Sequence, residues 1–249
     1  MRIVEGLQRY AVVSCHVERP LDDAVWRAFE RLLERRPFGF VVTPFLRPPH
    51  AGAGEDGERW LQRARRAAEL APLGHHTHWG GPTQARPAGD VDAAAIVRRE
   101  AEWLRGQGLA PRYFCGGGWY IDEPVAEVLA SFRYVDCSAT TFRQTYLGSD
   151  APRLQLAGPC RLRLQNGAEL PELPATHSLG MLARGLLRLH GPVHVHFHDW
   201  ELLDRRRAAA LEALLGALRL RRRPLDLDEL AARSADAPVL GWREATIAP

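Results

Sequence analysis

Strand-like and helix-like segments alternate along almost the whole of this chain, and that alternation most restricts what it can fold into. Tyr10-Ala-Val-Val-Ser14 reads as a short buried strand. Asp22 to Arg36 reads as a helix, because Val25, Trp26, Phe29, Leu32 and Leu33 recur on one helical face. Phe38 to Pro44 reads as the next strand, Pro48 to Gly57 as a Pro/Gly-rich loop, and Glu58 to Leu70 as a second helix. Asp90 to Gln107 is a third helix, with Val91, Ile96 and Trp103 as core candidates. Strands are expected at Arg112–Cys115, Phe132–Cys137 and Val193–Phe197, and helices at Glu123–Ser131, Leu179–Leu189, Arg205–Leu220 and Leu227–Arg233. Residues 152–174 read as a small β excursion, with Pro/Gly breaks, the Asn166-Gly167 turn signal and an alternating Arg-Leu-Arg-Leu run. Repeated β–α units at a length of 249 residues predict one α/β domain, 1–249, on a parallel sheet that is either open or closed as a barrel.

In such folds ligands bind beyond the carboxyl ends of the strands, and the chemically distinctive residues fall there. His16 and Glu18 follow the first strand, the Gly116–Gly118 turn follows Arg112–Cys115, and His198 and Asp199 follow Val193–Phe197. Six of the ten histidines lie in two short segments, Gly74-His-His-Thr-His-Trp79 and His194-Val-His-Phe-His-Asp-Trp200. In an extended segment His76 and His78 point the same way and can present two nitrogens to one ion. His75 points opposite and is expected to be structural. His194 is expected to be buried and hydrogen-bonded. His198, nearest a strand's carboxyl end, sits where an acid catalyst belongs, with Asp199 or Glu201 to orient it. The triple glycine permits close approach to a ligand, and Trp119 and Tyr120 can stack on a sugar ring or form a wall.

A net charge of +3, almost all of the positive part arginine spread along helices, reads as solvated faces and not as a nucleic-acid stripe. No window reaches the run of about 18 apolar residues that a membrane span needs, and residues 1–10 lack the apolar run of a signal peptide. A cytoplasmic location is therefore expected. The four cysteines show no CxxC spacing and read as free thiols or ligands. Nothing in the chain specifies an oligomeric state.

Four segments, in order, resemble the NodB-homology polysaccharide deacetylase family (carbohydrate esterase family 4). They are Pro72-Leu-Gly-His-His-Thr-His-Trp79, Phe114-Cys-Gly-Gly-Gly-Trp-Tyr120, Glu172-Leu-Pro-Ala-Thr-His177 and Phe197-His-Asp-Trp-Glu-Leu-Leu-Asp204. The likeness runs from about residue 10 to about residue 235. It implies a distorted, incomplete (β/α) barrel around a divalent metal, usually zinc. It further implies hydrolysis of an acetyl group on an N-acetylated sugar or related small amide. In that family an Asp and two His hold the metal, a neighbouring Asp is the base for water, an Arg of the third motif holds that Asp, and a His of the last motif protonates the leaving amine.

Carried over residue by residue, His76 matches a ligand and His198 the acid, and of the two carboxylates near it in sequence Asp199 is expected to orient His198. The base Asp is replaced by His16, and the Arg by Cys115. The usual second His would fall at Gly80, so His78 takes its place, and Glu18, His76 and His78 become the expected metal set. The two replacements are electrically linked, because losing one partner of a buried ion pair alone strands a charge. His16 and Cys115 are therefore expected to be neighbours. His16 is read as base or extra ligand, and Cys115 as ligand or as a thiolate activated beside an imidazole. Trp79, Gly117, Trp119, Tyr120 and Trp200 are the expected substrate contacts. A cytoplasmic setting favours a nucleotide-linked, lipid-linked or small glycoside substrate. The alternative is a catalytically inactive protein on the same fold that binds a carbohydrate or a metal.

Overall fold

The computed structural model describes residues 6–89, 91–142 and 153–247. Eight parallel strands form its centre. In chain order these are β1 (Tyr10–Val17), β2 (Val42–Leu46), β3 (Gly74–Thr77), β4 (Tyr113–Gly116), β5 (Val135–Asp136), then β8 (Glu169–Glu172), β9 (His177–Ser178) and β10 (Val193–His198). They pair in the order β9-β10-β1-β2-β3-β4-β5-β8. Between β5 and β8 lie β6 (Arg153–Leu154) and β7 (Cys160–Arg163), and β7 pairs antiparallel with β8. β11 (Arg223–Pro224) joins β1, β12 (Val239–Gly241) joins β7, and β13 (Thr246–Ile247) pairs with β6 in a separate ribbon.

The sheet is an incomplete barrel, as the sequence implies. Its path ends at β9 and does not close. One segment spans the seam: the Leu173 and Ala175 amides donate to the Asp136 and Ala139 carbonyls on one rim (2.8 and 2.9 Å), and the Thr176 amide donates to the His194 carbonyl on the other (2.9 Å).

Helices cover the outside. They are α1 (Asp23–Arg35), α2 (Gly57–Leu70), α3 (Ala93–Gly106), α4 (Glu123–Ser131), α5 (Leu179–Gly185), α6 (Arg205–Arg219), α7 (Leu227–Arg233) and α8 (Trp242–Ala245). Aspartate caps start most of them: Asp22, Asp56, Asp92, Asp122, Asp204 and Asp226 each accept from amides of the first turn. Such a cap contributes about 1 kcal/mol. Trp26, Phe29, Leu32 and Leu33 of α1 pack on the outward residues Val13 and Cys15 of β1 and on α2 and α6, and Val25 is buried beside them in sequence. A second outer layer joins α3, α4 and the β7–β8 excursion. Inside the barrel lie Val12, Phe45, Tyr113, Cys115, Val135 and Cys137, and α7 plugs the amino-terminal end with Leu227 and Leu230. Among the described residues, no helix is long and apolar enough to cross a membrane.

Several boundaries differ from expectation. β1 runs on to Val17 because His16 pairs with Phe45 and His198, so a residue expected in a loop is inside the sheet. Phe38–Val41 is not strand: Arg36 and Phe38 take left-handed φ of 44° and 54°, which turns the chain before β2 begins at Val42. β4 is shifted by one residue, and the fifth helix stops at Gly185. Asp90 and residue 152 lie outside the described residues.

Candidate metal centre

Parallel pairing brings the carboxyl ends of β1, β3, β4 and β10 to one side, and the register sets which residues meet. His16 is level with His198, and His76 with Cys115. His76 Nδ1–H donates to the Cys115 carbonyl (2.7 Å), and His78 Nδ1–H donates to the Pro82 carbonyl (2.8 Å). These bonds fix both tautomers and leave each Nε2 with a lone pair. Both Nε2 atoms are buried without a partner.

Both face Glu18. Its Oε1 lies 4.0 Å from His76 Nε2, 3.7 Å from His78 Nε2 and 3.7 Å from His198 Nε2. None of these is short enough to be a hydrogen bond. The donor atoms of Glu18, His76 and His78 all lie within 4.8 Å of one another. Two imidazoles and a carboxylate are a zinc-type donor set. Burial pushes the Glu18 carboxyl up, but His78, His198 and His76 outweigh it and bring it down to about 2. Burial, with His78 beside it, lowers His76 to about 3, so it is neutral and able to ligate. The Glu18–Arg19 backbone is clasped from two sides: Arg47 Nε donates to the Glu18 carbonyl (3.2 Å), and the Arg19 amide donates to Asp199 (2.8 Å).

His198 is partly exposed, with its Nδ1 3.7 Å from Glu201 Oε2 and its ring stacked on Trp200 at 5.6 Å. Burial opposes its charge, yet Glu201 and Glu18 raise its pKa above the ordinary value. Glu201 is itself held by the His198 amide (2.9 Å) and Arg207 (2.8 Å). Asp199 does not orient His198: its oxygens accept from the Arg19 and Trp200 amides, tying the exits of β1 and β10 together. The carboxylate beside the His198 Nδ1 is that of Glu201.

His16 and Cys115 are neighbours, as linked replacement requires: their ligand atoms and that of His76 lie within 4.8 Å of one another. His16 stacks on His76 (4.7 Å) and leans on Trp119 (5.2 Å). Burial, reinforced by the surrounding histidines, holds it neutral. Cys115 is not an activated thiolate. Burial and then Asp136 push its thiol well above the usual range, the reverse of what a nucleophile needs.

The expected substrate contacts divide. Trp119 and Trp200 stand beside the histidines. Trp79 is buried in the outer layer, with its indole N–H on the Gly117 carbonyl (2.9 Å) and its ring edge-on to Tyr120. Tyr120 donates its hydroxyl to Asp122 (2.8 Å). Gly117 is wedged under the Thr77 and Ala85 carbonyls. These three build the turn and do not face the histidines. His75 points outward onto Glu100 (2.9 Å), and His194 bonds Ser14 (2.9 Å). His196 was not singled out by sequence. It lies 4.6 Å from Trp119 and 5.8 Å from His16, with its Nδ1 buried and unpartnered. Its shared strand face with His194 and His198 was the available signal.

Below the site, β5 and β8 set Asp136 level with Glu172. Both are buried, and neither Glu172 oxygen has a hydrogen-bond partner. Burial raises Asp136 to about 6, and burial with Asp136 beside it raises Glu172 well above the carboxylate range. A raised folded pKa means that the pair's stability is present below the unfolded pKa, near 4, and is lost as pH rises through the folded values. Urea melts should show the advantage of Glu172→Gln over the parent growing from pH 4 upward, by at most about 1.4 kcal/mol per pH unit for each proton shed. A pH-independent difference contradicts the raised pKa values of this pair.

No family model matches the chain, and no curated protein matches it in sequence. Solved structures do. A presumed polysaccharide deacetylase from Mycobacterium smegmatis superposes with a TM-score of 0.66 at 15% identity, over 95% of this chain and 93% of that one. A presumed polysaccharide deacetylase involved in O-antigen biosynthesis from Bordetella bronchiseptica gives 0.51 at 17%, over 92% and 93%. A 4-alpha-glucanotransferase from Thermococcus litoralis gives 0.59 at 11%, over 97% of this chain and 42% of that one. At such identities the likeness establishes fold, and the transferase shows that this fold carries more than one chemistry.

Proposed function

The chain has the fold of the polysaccharide deacetylases, and on that premise we propose that it is a metal-dependent hydrolase that removes an acetyl group from an N-acetylated sugar or related small amide. One observation carries the reading: two buried imidazole nitrogens, each locked as a lone-pair donor, converge without partners on the Glu18 carboxylate. Left alone, such atoms carry a desolvation cost of about 1–3 kcal/mol each. A divalent ion held by Glu18, His76 and His78 removes it, and zinc suits that donor set. When bound, the ion acts as a Lewis acid that polarises the acyl carbonyl and acidifies water.

The chain's own residues do the rest. His198, whose pKa Glu201 and Glu18 raise against burial, gives its proton to the leaving amine nitrogen. Glu201 orients the His198 ring through Nδ1. His16, neutral and next to His76, takes the proton from the attacking water. Trp200, half-buried and stacked on His198, supplies a face for a sugar ring, while the buried Trp119 backs His16 and His196. The test is acetate release from a panel of N-acetylated amino sugars, before and after metal removal. The reading requires release that is abolished by chelation and restored by zinc or cobalt.

A second reading, an inactive protein on this fold that binds metal or carbohydrate, has one observation in its favour. Among the described residues, only Glu18 and Glu201 bring a carboxylate to the rings of His16, His76, His78 or His198. The base is thus left to a buried imidazole whose basicity is depressed. Full metal occupancy with no acetate release from any substrate in the panel would favour it.

A further inference from the structure

Three of the four large apolar side chains exposed among the described residues gather at the end of the barrel opposite the histidines. They are Leu220 (89% exposed), Leu187 (80%) and Phe38 (52%). Leu220 ends α6 just before β11 meets the start of β1, Leu187 precedes β10, and Phe38 precedes β2. They are neighbours in space. The Phe38 ring covers Gly216 on α6, one helical turn from Leu220, and a Cβ on Gly216 would meet that ring at 2.9 Å. Arg221, next to Leu220, reaches the Leu187 carbonyl at 3.5 Å. Phe38 is held outward at a φ of 54°, a strained conformation for an aromatic residue.

A cavity of about 660 Å³ opens beside Leu220, lined by Arg9, Arg219, Arg221, Arg222, Arg223 and His190, with no acidic residue in its wall among the described residues. Several arginines elsewhere are laced to acids: Arg35 to Glu212, Arg59 to Asp23, Arg66 to Glu30, Glu34 and Glu69, and Arg207 to Glu201. Among the described residues, none of the five around this cavity forms an ion pair, and Arg222 Nε is buried without a partner.

We propose that this end is a docking surface for an anionic lipid membrane: Phe38, Leu187 and Leu220 enter the interfacial layer while Arg9, Arg219, Arg221, Arg222 and Arg223 pair with phosphate headgroups. The apolar trio decides between polyanions. A nucleic acid would use the arginines but has no place for three projecting hydrocarbon side chains. Docked this way, the barrel stands on the membrane with its histidine mouth facing the aqueous side. The surface does not depend on the hydrolase reading, since it shares no residue with the site.

Co-sedimentation with vesicles tests it. The protein should bind phosphatidylcholine vesicles containing phosphatidylglycerol, leave pure phosphatidylcholine in the supernatant, and release as salt is raised. Arg221→Ala and Arg223→Ala should each weaken binding about fivefold. Leu187→Ser and Leu220→Ser should each weaken it about tenfold. All four sit on the surface, and unchanged thermal melts confirm folding. The proposal is overturned if the anionic vesicles bind no better than neutral ones. It is also overturned if the leucine variants bind like the parent, or if a single-stranded oligonucleotide binds through these arginines while vesicles do not.

Discussion

Replacing His198 with glutamine is expected to lower kcat for acetate release about 10²- to 10⁴-fold, while metal content stays at that of the parent. Glutamine keeps a polar side chain next to Trp200 but has no proton to give a leaving amine. His198 suits the acid role because two carboxylates act on it together: Glu201 faces Nδ1 and Glu18 faces Nε2, each at 3.7 Å. Their combined effect exceeds the burial that would otherwise discharge the ring. His198 is partly exposed, whereas His76, His78 and His16 are buried, so it alone of the four can meet a departing group. Substrates with a good leaving group, such as acetyl esters of phenols, need no proton and should lose much less. An equal loss on amides and activated esters would place His198 in metal binding. A loss of only a few-fold would place the acid elsewhere.

The second large effect is on stability. Gly116→Ala should lower stability by about 3 kcal/mol, a fall of about 10 °C in Tm for a chain this long. A Cβ at Gly116 would sit 2.1 Å from the Tyr120 carbonyl oxygen and 3.2 Å from the Trp79 ring. The first obstacle is backbone, which cannot swing aside. The Gly116 amide is also bound to Ser138 Oγ (2.8 Å), and that hydroxyl donates to Asp136 (2.7 Å), so the strand end is fixed from below. Gly106→Ala is the control. It lies in α3 with nothing within 4 Å of its Cβ and should stabilise by up to about 1 kcal/mol. Equal melting temperatures for the two variants would show that the turn relaxes freely.

The helices were legible because aspartates mark their starts and apolar faces their lengths. α1 shows both, with Asp22 as cap and five buried side chains at helical spacing. Strand ends were harder. Polarity suggested that β1 stops at Ser14, yet cross-strand register buries His16 between Phe45 and His198. Phe38 and Phe40 have strand propensity, but left-handed residues at 36 and 38 override it. β2 then continues through Pro44, which is tolerated because pairing with β3 begins only at Phe45. β9, β11 and β13 span two residues each, too few for periodicity to register. At the site, spacing alone placed His76 and His78 together, whereas their convergence on Glu18 depends on a β1–β3 separation that no local pattern encodes. Asp199 was chosen over Glu201 by adjacency. The three-residue step from His198 to Glu201 is capping-box spacing, and the Glu201 side chain does turn back to the His198 amide.

Metal content per chain, measured by elemental analysis on untagged protein beside His76→Ala, tests the central claim most directly. The account predicts about one zinc, cobalt, nickel or iron per parent chain, and loss of that metal from a variant that still melts cooperatively. No bound metal in the parent, and none taken up on incubation, would contradict it.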